Sequence, residues 1–205
     1  MRATIFLLTL VSAPLGAHNL TPLAPGTYTN EEEVYFAKEA KTPAAPWTGI
    51  TVDATGAAQF VDLYGKTVPG AVHNAAMTKD GAIAFPLAGG ATTMLRRSRP
   101  VTCWGSVPKT KKKSDGSEDW YFAAGLKIHD QGGRVQFGGG DTGAPPVVLR
   151  MRNVIWPTGT NKPSLVLYVH KLENPDHAES YSWADPDAKR IGINLRWMQA
   201  SCSID

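Results

Sequence analysis

The chain has only two cysteines in 205 residues, so a disulfide-dense scaffold and a four-cysteine zinc site are both excluded. It has no one-sided charge either: 21 basic residues face 18 acidic ones, a net of +3, too little to imply nucleic acid or an anionic membrane as partner. No apolar stretch approaches the roughly 18 residues of a spanning helix, and membrane insertion is not expected. His-Glu-x-x-His, Cys-x-x-Cys and Gly-x-Ser-x-Gly elements are absent, which removes the common local signatures of zinc proteases, thiol redox centres and serine hydrolases. No catalytic residue is assigned, and the sequence calls for no cofactor. Amphipathic helical stripes are also scarce. The 42% hydrophobic content, with 20 Gly and 15 Pro, is ordinary for a globular chain and excludes a disordered or collagen-like one.

What is present begins with a secretory pattern. Arg2 gives a positive start, Thr4 to Val11 form an apolar run, and Ser12 to Ala17 end in small residues. Residues 1–17 are therefore predicted to be a signal peptide and 18–205 one exported domain, periplasmic or extracellular. No cysteine follows the expected cleavage point, so no lipid anchor is expected. Both cysteines, Cys103 and Cys202, fall in the exported part, and an oxidising compartment favours joining them, with two buried free thiols as the alternative. Closing a loop of about 100 residues lowers unfolded-state entropy by the equivalent of ~4.7 kcal/mol.

Period-two segments separated by Gly, Pro, Asp and Asn recur along the chain, which predicts an all-β domain, an antiparallel barrel or sandwich of ten to twelve strands. Strands are expected at 27–28, 34–36, 48–53, 59–64, 82–85, 92–96, 101–107, 120–129, 134–137, 147–155, 165–172 and 190–198. In 120–129 the alternation puts Trp120, Phe122, Ala124, Leu126 and Ile128 on the core face, with Tyr121, Lys127 and His129 opposite. In 190–198 it sets Ile191, Ile193, Leu195 and Trp197 against Arg190, Asn194, Arg196 and Met198. Segment 165–172 is apolar on both faces, as a central strand is. The one helical candidate is 30–41, with Asn30 as cap and Glu31 to Glu33 in the first turn, but its Val34-Tyr35-Phe36 centre reads as strand.

Few motifs carry chemistry. Lys109 to Asp119 joins two strands, holds Asp115-Gly116 and balances four lysines with three acids, so it reads as an exposed hairpin tip. Gly138 to Gly143 has the spacing of a dinucleotide-binding loop, but Pro145-Pro146 and a strand follow where a helix is needed. Asp141-Thr142-Gly143-Ala144 resembles the aspartic protease signature; three glycines precede it in place of apolar strand residues, and there is no second copy. A loop with an Asx turn is expected there. The densest polar cluster lies at 170–187. His170, His177, Asp185 and Asp187 are candidate metal ligands there, and His170, Asp176, His177 and Asp185 are candidate acid/base groups of an exported hydrolase. Arg150 and Arg152 share a strand side with Val148 and Val154, where they could meet an anionic ligand. Of six tryptophans, Trp120 and Trp197 fall on apolar faces and Trp183 is the exposed candidate for stacking a sugar. Asn19-Leu20-Thr21 would be a glycosylation sequon in a eukaryotic host.

Gly26-Thr27-Tyr28 near the start of the exported part resembles the Gly-x-Trp opening of lipocalins and their calycin relatives. Arg196 and a mid-chain to C-terminal cysteine pair are also similar to that family, whereas its Thr-Asp-Tyr signature and C-terminal helix are missing and more than eight strands are expected. The resemblance would imply a barrel around a small apolar ligand. The leading expectation is a non-catalytic binding module for a small molecule or glycan, with Arg150, Arg152, His170 and Trp183 as ligand-binding candidates. The alternatives are the hydrolase and a structural or envelope-interaction protein.

Overall fold

The computed structural model describes residues 23–156 and 162–205; the expected signal peptide and the Asn19 sequon lie outside them. Just under half of the described residues lie in strands, all of them antiparallel, and only one short α-helix and a single 3₁₀ turn accompany them. Six strands come first: β1 (Gly26–Thr29), β2 (Gly49–Val52), β3 (Ala58–Val61), β4 (Ala76–Met77), β5 (Ile83–Pro86) and β6 (Thr92–Arg97), in the order β3-β2-β1-β6-β5-β4. In a flat sheet β3 and β5 would stand roughly 19 Å apart, four strand spacings. The Phe60 and Phe85 rings nevertheless meet edge to face at 5.7 Å. The sheet is therefore curled, and it wraps Tyr28, Ile50, Val52, Ile83, Phe85 and Leu95 into a core of its own.

Eight further strands form two four-stranded sheets. One has the order β13-β14-β7-β8, from β7 (Pro100–Pro108), β8 (Trp120–His129), β13 (Arg190–Leu195) and β14 (Met198–Ile204). The other has the order β12-β11-β10-β9, from β9 (Gln131–Phe137), β10 (Val147–Val154), β11 (Ser164–Lys171) and β12 (Ala178–Ala184). Their facing sides supply Val101, Val107, Phe137, Leu149, Met151, Leu165, Leu167, Val169, Ile191 and Met198 to a second core. Cys103 stands opposite Cys202 in the β7–β14 ladder and the two are joined as a disulfide, inside this core and across a sequence separation of 99. Strand β11 is interior to its sheet, as its two apolar faces predict.

Several expectations change. Residues 34–36 belong to α1 (Glu31–Glu39), not a strand: three glutamates in its first turn complement the helix dipole, and tertiary contacts of Tyr35 and Phe36 override their strand preference. Asn30 sits at the cap position without capping. Its side-chain amide donates to the Pro46 carbonyl and Thr93 Oγ1 and accepts from the Thr48 amide, tying the helix start to the curled sheet.

The faces of β8 are not those of simple alternation. Leu126 and Ile128 do point into the core, but so do Tyr121 and Ala123, while Phe122 is 60% exposed and Trp120 and Ala124 share its outward side. The cause is a bulge. The ladder runs Cys103↔Leu126 and then Gly105↔Ala123, so Ala124 and Gly125 together oppose one residue, with Gly125 at φ 68°.

Segment 190–198 is a hairpin rather than one strand, turning at Arg196-Trp197. Ile191, Ile193, Leu195 and Trp197 still share the core side. Part of the 170–187 segment is strand β12, and the short β4 was also not expected. Residues 109–119 form the expected exposed hairpin tip, closed by the Lys109–Asp119 ion pair at 2.7 Å. Among the described residues no helix is long and apolar enough to cross a membrane.

Candidate functional site

The outward side of the β9–β12 sheet collects the chemistry. On β10 the period of two that buries Leu149 and Met151 in the core sends Val148, Arg150, Arg152 and Val154 the other way. Register places His170 beside Val148, Tyr168 beside Arg150 and Val166 beside Arg152. Tyr181 then follows beside Tyr168, and Trp183 beside Val166. All four ligand candidates from the sequence, Arg150, Arg152, His170 and Trp183, thus lie on one sheet face.

Helix α1 covers the arginine end of that face. Arg152 has no exposed surface, and its Nε and Nη2 donate to Glu32 Oε1 at 3.1 and 2.7 Å. Its guanidinium lies 3.5 Å from the Tyr35 ring centroid, a cation–π contact. Arg150 Nη2 donates to Glu31 Oε1, and Trp47 Nε1 donates to Glu31 Oε2 at 2.9 Å. Arg134 of β9 adds bonds to the Pro175 carbonyl and, at 3.4 Å, to Asp176 Oδ1. A cleft of about 400 Å³, bounded by Glu31, Tyr35, Trp47, Arg134, Arg150 and Asp176, opens beside the cluster.

Burial governs the protonation of these groups. It lifts the Glu32 carboxyl above its ordinary range in spite of Arg152, and one of its oxygens, Oε2, has no partner. Burial, with the neighbouring Arg152 charge, brings Arg150 down to about 10, still charged at neutral pH. His170 falls to about 4, again mainly by burial. Its Nδ1 donates to the His177 carbonyl at 3.0 Å, so the neutral ring leaves Nε2 as a buried acceptor without a partner.

The remaining candidates do not join the cluster. His177 meets His170 through its backbone, and its ring is exposed, as are Asp185 and Asp187. Among the described residues no three His, Cys, Asp or Glu side chains assemble as a metal-ligand set. The exposed rim of the face is aromatic. From Arg150 a run of contacts passes over Tyr168 at 5.8 Å, to Tyr181 at 6.2 Å and to Trp183 at 6.4 Å. Trp183 is 71% exposed and Tyr181 59%.

Sequence reasoning missed Glu31, Glu32, Tyr35, Trp47 and Tyr168 as parts of this face. One signal was available: two arginines on the side of a strand that also carries valines require carboxylates, and Glu31-Glu32-Glu33 is the one run of three acids in the sequence. The chain matches no family model, no curated protein and no solved structure.

Proposed function

We propose that the chain is an exported, non-catalytic binding module that takes a glycan on the Tyr181–Trp183 face of strand β12. The observation that carries this reading is the exposure of two aromatic rings side by side on the regularly paired stretch 180–184 of β12, outside either core. A sugar ring presents an apolar C–H face, and an indole supplies a flat apolar surface with a polar edge at little cost in side-chain entropy. The N-terminal secretory pattern and the Cys103–Cys202 bond, which persists in oxidising compartments, support export.

The test is a titration of the folded chain against a panel of neutral oligosaccharides, followed by tryptophan fluorescence and calorimetry. Binding lost in Trp183→Ala with the melting temperature unchanged is the expected result. A panel without any binding, or binding that survives Trp183→Ala, would overturn the assignment.

A further inference from the structure

A second cleft, of about 480 Å³, lies where the curled sheet meets the two-sheet core; it shares Leu63 and Arg134 with the cleft beside the helix but is lined by no residue of α1. Its walls come from Gly26 of β1, the loop after β3, Arg97 at the end of β6, Lys127 and His129 of β8, and Arg134 of β9. Among the described residues lining it are three cations, Arg97, Lys127 and Arg134, and no carboxylate. Two of the cations also have partners outside the lining: Lys127 Nζ donates to Thr102 Oγ1 at 2.6 Å and lies 3.8 Å from Asp205, and Arg134 Nη2 lies 3.4 Å from Asp176. A recess lined by charge of one sign concentrates its field and attracts counter-ions.

Two features make this more than a basic surface. Arg97 is held in place although it is exposed. Its Nη2 donates to the Pro25 carbonyl at 2.7 Å, and its Nε lies only 3.0 Å from where a Cβ on Gly26 would stand, so the guanidinium rests against bare backbone. No carboxylate pairs with it within 4 Å among the described residues. The other feature is His129, which forms part of the wall. Its Nδ1 accepts the Gln131 amide at 3.3 Å, which puts the neutral ring's proton on Nε2, and Nε2 is buried without a partner. Thr27 and Tyr64 add hydroxyl-bearing side chains to the lining, while the Ser98 hydroxyl donates to the Thr27 carbonyl.

We infer that this cleft binds a small oxyanion, a carboxylate, sulfate or phosphate group carried on a molecule of sugar size, with Arg97 and Lys127 as its charged contacts. Guanidinium supplies paired N–H donors that match such groups, ammonium adds a point charge, and the volume suits a monosaccharide-sized ligand. The site is separate from the Tyr181–Trp183 face and does not depend on it.

The experiment uses the full disulfide-bonded chain, isotope-labelled and titrated separately with sulfate, phosphate and glucuronate, with glucose as the uncharged reference. Saturable shifts of the Gly26, Arg97 and Lys127 amides are expected with at least one of the three anions and not with glucose. Glucuronate alone would identify an acidic sugar; sulfate or phosphate alone would identify an ester or the free ion. Lys127→Glu, at a side chain that is 71% exposed, should weaken binding roughly tenfold or more without disturbing the fold. Arg97→Gln should do the same if it folds, and Trp183→Ala should leave anion binding intact. No saturation with any of the three anions up to about 20 mM, or affinity unchanged in Lys127→Glu, overturns the inference.

Discussion

Arg152 shows how one residue can be legible and its role not. Its side of the strand follows from alternation with Leu149 and Met151, but its partners sit about 120 positions earlier in a helix, and period carries no information about such pairing. Removing it would leave the buried Glu32 carboxylate without its counter-charge, so Arg152→Met should cost about 3–5 kcal/mol in urea unfolding at pH 7. The loss should shrink on acidification. Glu32 already holds its proton more tightly when folded than unfolded, so its neutral form needs no counter-charge, and adding Glu32→Gln should recover part of the stability at neutral pH. The buried histidines act in the opposite direction. His129 and His170, both lowered from 6.5 to about 4 chiefly by burial, contribute stability above pH 6.5 that is lost as pH falls towards 4, because the unfolded chain takes up their protons first. Each is worth up to roughly 3 kcal/mol across that window. His170→Asn keeps a donor for the His177 carbonyl and should flatten the curve of melting temperature against pH between 6.5 and 4.

Strand β8 was recognised to the residue, yet half its face assignment inverted, because a bulge leaves the composition of a strand unchanged while shifting its phase. The sequence mark was Gly125, the one glycine in an otherwise alternating run. A Cβ there meets no atom within 4 Å, so Gly125→Ala tests backbone strain alone and should cost about 1–2 kcal/mol in a thermal melt. Helix α1 fails to show its period for a related reason: Val34-Tyr35-Phe36 carries strand preference, and the helix is held by Asn30, Arg150 and Arg152, whose contacts are all distant in sequence. Strand β12 escaped because Tyr181 and Trp183 are its outward residues, Ser180 and Ser182 its inward ones, and Glu179 is bulged out of the ladder, so it lacks the apolar contrast that marks the neighbouring strands. The exposed rings that support the proposed glycan face are therefore also what hid the strand that carries them.

At the scale of the molecule, the all-β class and the cysteine pairing were readable because both rest on simple counts: recurring period two, and two thiols with no third. The division of strands between a curled six-stranded sheet and a pair of four-stranded sheets was not, since it depends on which segments pair across long stretches of chain. Replacing both Cys103 and Cys202 by serine should lower unfolding free energy by about 4–5 kcal/mol, read as a reduced denaturant midpoint, while the β content by circular dichroism is retained below it. The bond also divides the chain mechanically. Pulled from its two ends with the disulfide intact, the protein could pay out the curled sheet and α1, described residues 23–102, to roughly 280 Å of extended chain. Residues 103–202 would stay behind as a closed ring that the force bypasses through two sulfur atoms. A single-molecule trace should therefore lengthen by a further ~350 Å, the span of the released ring, once a reductant is added.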